Sequence, residues 1–112
     1  MRTHSLKGVQ KAESFLSRLG GLMGKQSWPQ KLGGLYFPRC ASVHTFFTFL
    51  RPDVVFTDKN NRILKIIPQA GPWRFWFGPR GSENCLEIPP GLSRKSRLQV
   101  GMKLVFPGLR RV

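Results

Sequence analysis

His44 is the residue best placed by type to carry chemistry. It stands in Ser42-Val43-His44-Thr45-Phe46-Phe47, and Asp53, Asp58 and Glu87 are carboxylates that folding could bring beside it. A histidine next to a carboxylate makes an acid–base pair, and with further ligands a metal site. Both need more than a pair: a metal centre takes several protein ligands, and covalent catalysis takes a nucleophile, a base and an orienting group within hydrogen-bond reach. The chain has 2 His, and the other, His4, lies in a polar arm. No phosphate-cradling loop, metal-ligand spacing or cofactor motif accompanies them. The residues therefore point away from an enzyme, a metal or a cofactor. A buried His44, hydrogen-bonded to Asp53 or to backbone and fixing two strands, is the commoner use of such a residue.

Asp53 follows Pro52 and opens an apolar run. It can cap a turn or pair with His44, Arg74 or Arg51. In a chain this basic a guanidinium is the expected partner, because a partly buried carboxylate needs charge-assisted donors. Trp73-Arg74-Phe75-Trp76, taken with Phe46 and Phe47, interleaves aromatics with cations. That is how single-stranded nucleic acid or a carbohydrate is held. Aromatics at period two also build cores, and core packing is the first expectation for most of them.

These residues must be positioned by short elements. Twelve Gly and nine Pro interrupt a 112-residue chain that is 40% hydrophobic, which suits a packed single domain without long helices. Val9, Ala12, Phe15, Leu16, Leu19 and Met23 recur at three- and four-residue steps, as on one face of a helix. Gly20-Gly21 should weaken or end it. Gly34 to Phe37 reads as a strand closed by Pro38. Val43 to Leu50 is apolar on both alternating faces and should be buried on both sides or face a cavity. Asp53 to Thr57 is a second strand, separated by Pro52 and rich in β-branched residues.

Asp58-Lys59-Asn60-Asn61 then joins it to a strand over Arg62 to Ile67. Asp58 suits the first position of a type I turn and Asn61 the left-handed residue after it. Trp73, Phe75 and Phe77 alternate with Arg74 and Trp76, as in a half-buried strand or an extended lid. Cys85 to Ile88 is another strand, Leu92 to Lys95 a short helical turn with its basic residues outside, and Lys103 to Phe106 a last strand. The core spans about 12–106, with 1–10 expected as a loose arm or poor edge strand and 107–112 as a free basic tail.

Nineteen Lys plus Arg against five Asp plus Glu give a net charge of +14. Such a field favours polyanions, acidic proteins or anionic surfaces as partners. The cations are scattered from Arg2 to Arg111 in short groups such as Arg94, Lys95 and Arg97, a pattern that a solvated basic surface also produces. Cys40 and Cys85 lack a CxxC spacing and fit buried thiols in a reducing compartment. No apolar signal region and no window near the ~18 apolar residues of a membrane span is present. A cytoplasmic protein without a transmembrane segment is expected.

The ordered blocks Gly21-Leu22-Met23-Gly24-Lys25, Val43-His44-Thr45-Phe46-Phe47, Asp53-Val54-Val55-Phe56, Arg62-Ile63-Leu64-Lys65, Pro72-Trp73-Arg74, Leu86-Glu87-Ile88-Pro89 and Gly101 form a recognisable series. Together they resemble the domain of unknown function 192 family, an uncharacterised bacterial and archaeal group, over about Ala12 to Phe106. The resemblance implies a compact, mainly β sandwich or barrel-like single domain with one N-terminal α-helix and a short C-terminal helical turn. Met23, Cys40, His44, Thr45, Phe46, Asp53, Trp73, Arg74, Glu87 and Gly101 match the family pattern. Thr48, Arg51-Pro52, Pro90 and Met102 depart from it, the last replacing an Asp.

The candidate pocket is thus His44, Thr45, Phe46, Asp53, Trp73 and Arg74, set along a groove between the HTFF strand and the PWRF segment. Its expected role is to bind a small ligand or an unknown protein as an accessory domain, without catalysis. The alternative is single-stranded nucleic acid or another polyanion, held by the basic and aromatic surface.

Overall fold

Asp58 shows how local chemistry sets the fold. Its carboxylate accepts the backbone N–H groups of Asn60 at 2.8 Å and Arg62 at 2.9 Å. Asn61 N–H returns to the Asp58 carbonyl at 3.0 Å, with Asn61 at φ 62°. This is the expected type I turn with a left-handed residue after it, which closes a hairpin tightly. The computed structural model describes residues 2–11, 28, 32–44, 50–71 and 74–111.

Among these, the elements run β1 (Thr3–Ser5), β2 (Val9–Lys11), β3 (Gly34–Phe37), β4 (Ser42–His44), β5 (Asp53–Thr57), β6 (Ile63–Ile67), β7 (Phe75–Phe77), β8 (Asn84–Ile88), α1 (Leu92–Lys95), β9 (Lys103–Val105) and β10 (Arg110–Arg111). The chain is mainly β, as expected. Six strands form one sheet in the order β10-β2-β3-β8-β5-β6. Its first three strands pair in parallel and the rest antiparallel. Two short ladders, β1–β9 and β4–β7, and an isolated antiparallel bridge between Arg62 and Lys103 complete the strand pairing among the described residues.

β8 and β5 sit at the centre of the sheet, and every one of their ten residues is buried. Side chains alternate between faces along each strand, so the sheet carries two cores. One gathers Val9, Tyr36, Val55, Ile63, Leu86, Ile88, Leu98, Met102 and Leu104; the other gathers Leu35, Phe37, Leu50, Val54, Phe56, Ala70 and Cys85. Leu104 of β9 belongs to the first, and Val43 and Trp76 of the β4–β7 ribbon pack on the second. The ladders therefore lie on opposite faces of the sheet. Cys85 is buried and Cys40 half-buried, and neither forms a disulfide.

Several expectations are corrected. Of the two forms expected for the N-terminal residues, loose arm or poor edge strand, the structure has strands: β1 pairs with β9 in a two-stranded ladder, and β2 lies inside the sheet between β10 and β3. The C-terminal residues 110–111 are likewise paired. Val9, placed on the face of a helix by its spacing, is instead a buried strand residue. The remainder of that helical pattern, from Ala12 to Met23, lies outside the described residues. The short helical turn at Leu92–Lys95 is present, with Arg94 and Lys95 exposed. The hairpin end is tied to β9 by Ile63 N–H on Met102 carbonyl at 2.8 Å and Leu104 N–H on Asn61 carbonyl at 2.9 Å. Met102 packs in the core, and its sulfur accepts the Gln99 N–H at 3.1 Å.

Candidate functional site

Asp53 begins β5 and is wholly buried, at 0% exposure. A buried carboxylate persists only when its oxygens are fully used. Here Oδ1 accepts the backbone N–H of Gln69 at 2.8 Å and of Gly91 at 3.1 Å. Oδ2 accepts the Ser93 N–H at 2.9 Å and the Ser93 hydroxyl at 2.5 Å. The expected guanidinium partner is thus replaced by three backbone donors and a hydroxyl. The reason is topological: the strand enters beneath the Pro-Pro-Gly turn, whose left-handed Gly91 at φ 84° turns its N–H inward.

The consequence is a staple between two separate segments. Pro68-Gln69 follows β6, Gly91 to Ser93 opens α1, and Asp53 holds both from below. A cleft of about 520 Å³ lies between these segments, lined by Ile66, Pro68, Gln69, Gly91, Ser93, Arg94 and Leu98. That size falls in the range of about 300–1,000 Å³ usual for small-molecule sites. Its walls are apolar at Ile66, Pro68 and Leu98, with one exposed guanidinium at Arg94.

A second buried carboxylate, Glu87, sits on β8 directly opposite Val54, while Asp53 is opposite Ile88. Adjacent residues of β5 face opposite ways, so Asp53 and Glu87 lie on opposite faces of the sheet. Two carboxylates so placed do not share a substrate. Burial pushes the Glu87 carboxyl up to about 7, which keeps much of it neutral near neutral pH. At Asp58 burial opposes the charge, yet the N–H groups of Arg62 and Asn60 and the charges of Arg62 and Lys59 hold its carboxyl below the ordinary range.

The other predicted site residues separate. His44 pairs through its backbone with Phe75 in the β4–β7 ladder, on the opposite side of the sheet from the Asp53 staple. Arg74 precedes β7 and is exposed, its guanidinium carbon 5.8 Å from the centre of the Trp76 ring. Thr45, Phe46 and Trp73 lie outside the described residues. Over residues 42–44 and 75–77 the two segments expected to flank a groove are hydrogen-bonded neighbours. Within β7 the structure sets the phase of the aromatic alternation: Trp76 packs on the core, whereas Phe75 and Phe77 are 59% and 64% exposed.

Sequence reasoning did not assign Gln69, Gly91, Ser93 or Arg94 to the site. The available signal was Ser93, two residues after Pro-Pro-Gly, a residue type that bonds carboxylates and turns, but nothing local pointed to a partner 40 residues away. Among the described residues no helix is long and apolar enough to cross a membrane.

Comparison with known proteins places the chain in a wider group. The chain is 31% identical over 100 residues to a UPF0127 protein of Pyrococcus horikoshii, covering 86% of this chain and 84% of that protein. It is also 31% identical over 96 residues to a UPF0127 protein of Thermococcus sibiricus, covering 83% of this chain and 62% of the relative. Among solved structures, a protein of unknown function from Novosphingobium aromaticivorans aligns over 90% of this chain and 71% of its own, with a TM-score of 0.66 and 20% identity. A Sinorhizobium meliloti protein described as a candidate transcription regulator aligns over 83% and 76%, with a TM-score of 0.70 and 22% identity. At these identities the structural likeness concerns the fold alone. A family model described as DUF192, Uncharacterized ACR, matches residues 2–106, and the chain belongs to that family.

Proposed function

We propose that this domain is a binding module without catalytic activity, and that its ligand occupies the cleft above Asp53. The observation that carries this reading is the use made of Asp53. Its carboxylate is committed to four hydrogen bonds that fix both walls of the cleft, so it acts as a staple and is not free to move a proton. A cleft held rigid before the ligand arrives lowers the entropy cost of binding. Apolar walls with a guanidinium at the rim suit a small ligand or peptide end that combines an apolar body with a carboxylate. Glu87 on the far face supplies no second acid for general acid–base work on the same substrate.

The test is a titration of ¹⁵N-labelled protein with 4-phenylbutyrate, an apolar carboxylate, followed by amide chemical shifts. The reading expects saturable shifts at Gln69, Gly91 and Arg94, much weakened in Arg94→Glu. Shifts that ignore the cleft, or that survive Arg94→Glu unchanged, would remove its basis.

A further inference from the structure

The β4–β7 ribbon carries a feature that the cleft does not explain. Phe75 and Phe77 stand two residues apart on one face of β7, both mostly exposed. Their ring centroids are 6.3 Å apart and the planes only 24° from parallel. Exposed large apolar side chains are ordinary when single; a matched pair on a short strand is a surface prepared for contact. Strand geometry sets the spacing, since alternate side chains leave the same face about 6–7 Å apart. The strand is anchored from behind, because Trp76 packs on the core and Arg74 lies against its ring.

The surrounding charge selects the partner. The ribbon's end is closed by Gly78 N–H on the Ala41 carbonyl at 2.8 Å. Arg39 and Arg80 are each two residues from that hydrogen bond, in exposed turns. Glu83, whose carbonyl accepts the Cys40 N–H, is the acidic residue of that region. No acidic residue occurs from Lys59 to Ser82 or from Ser14 to Pro52. Two copies of a +14 chain repel each other, which disfavours a pairing of these faces between copies. A lipid surface takes aromatic rings without requiring them to be parallel. Near-parallel exposed rings on a ribbon whose closing turns carry exposed arginines match a polymer of flat π-faces joined by phosphates.

We propose that the β4–β7 ribbon is a single-stranded nucleic-acid platform, with Phe75 and Phe77 stacking on bases and Arg39 and Arg80 meeting phosphates. This site is on the opposite face of the sheet from the Asp53 cleft and stands independently of the reading given to that cleft.

The test uses the full chain and fluorescein-labelled oligo-dT and oligo-U, followed by fluorescence anisotropy in low salt. Heparin and anionic phosphatidylglycerol vesicles serve as competitors. The platform predicts single-strand binding that weakens with salt, with a log–log slope of roughly −1.4 for two phosphate contacts. Phe75→Ala and Phe77→Ala should each weaken it by roughly 5-fold or more, whereas Phe77→Trp should retain it. Both positions are exposed, so circular dichroism should show the variants folded. The proposal is overturned by no binding in low salt, by alanine variants that bind as well as the parent, or by rings that matter for vesicles and not for oligonucleotides. Equal loss to heparin and to oligonucleotide on ring removal would also overturn it, since heparin offers no bases to stack.

Discussion

Glu87 gives the most quantitative expectation. It lies on the central strand β8, between Leu35 of β3 and Val54 of β5, and burial raises its carboxyl from 4.5 to about 7. Below the unfolded value both states hold the proton, and the group does not affect stability. Between 4.5 and about 7 the unfolded chain releases the proton while the folded chain keeps it. Folding then requires proton uptake, so stability falls as pH rises through this window, by up to about 1.4 kcal/mol per pH unit. Above about 7 the whole difference has been lost, about 3 kcal/mol in all. For a domain whose total stability is typically about 5–15 kcal/mol, that is a large share.

Glu87→Gln replaces the carboxyl by a neutral group of the same shape. Urea unfolding followed by tryptophan fluorescence, run on both proteins across this range, isolates the residue because other titrations cancel in the difference. The two should be close in stability near the lower end. The variant should then become progressively more stable than the parent, levelling off above about 7. A difference that stays flat with pH, or one in which the parent gains on the variant as pH rises, would refute the reasoning. The second result would mean that the folded protein holds Glu87 charged and paired.

Two further expectations concern polar groups at the hairpin. The Thr57 hydroxyl is buried without a hydrogen-bond partner among the described residues, so Thr57→Val should raise stability by about 1 kcal/mol in the same unfolding assay. Asp58→Ala removes two hydrogen bonds to the turn's backbone and should cost about 1 kcal/mol. Because the folded carboxyl lies below its ordinary value, that contribution is present above the unfolded value and is lost as pH falls through the folded one.

The parts of the fold legible in the sequence were those specified by neighbours. Asp58 and Asn61 announce their turn because the donors and the left-handed residue lie within five positions. Pro52 and Pro68 delimit strands because they cannot continue them. β1, β2 and β10 were illegible for the opposite reason: each is two or three residues long, largely polar, and is made a strand by a partner far along the chain. In β7 the period of two was readable but its phase was not, since pairing with β4 and packing on the core decide that Trp76 faces inward. Asp53 was identifiable as a buried carboxylate needing donors. Its actual donors are mostly backbone N–H groups, which any residue type supplies, so the sequence favoured the visible arginines.

The central claim is that Asp53 builds a binding cleft by holding its two walls. It is tested most directly by Asp53→Asn, measured by amide hydrogen exchange together with the affinity for 4-phenylbutyrate. The amide side chain cannot accept from all four donors, and its NH₂ faces groups that themselves donate. The account predicts that protection at Gln69, Gly91 and Ser93 falls together, that β5 and β8 amides stay protected, and that probe affinity drops with it. Unchanged affinity alongside released walls would contradict the claim, and so would walls that remain protected.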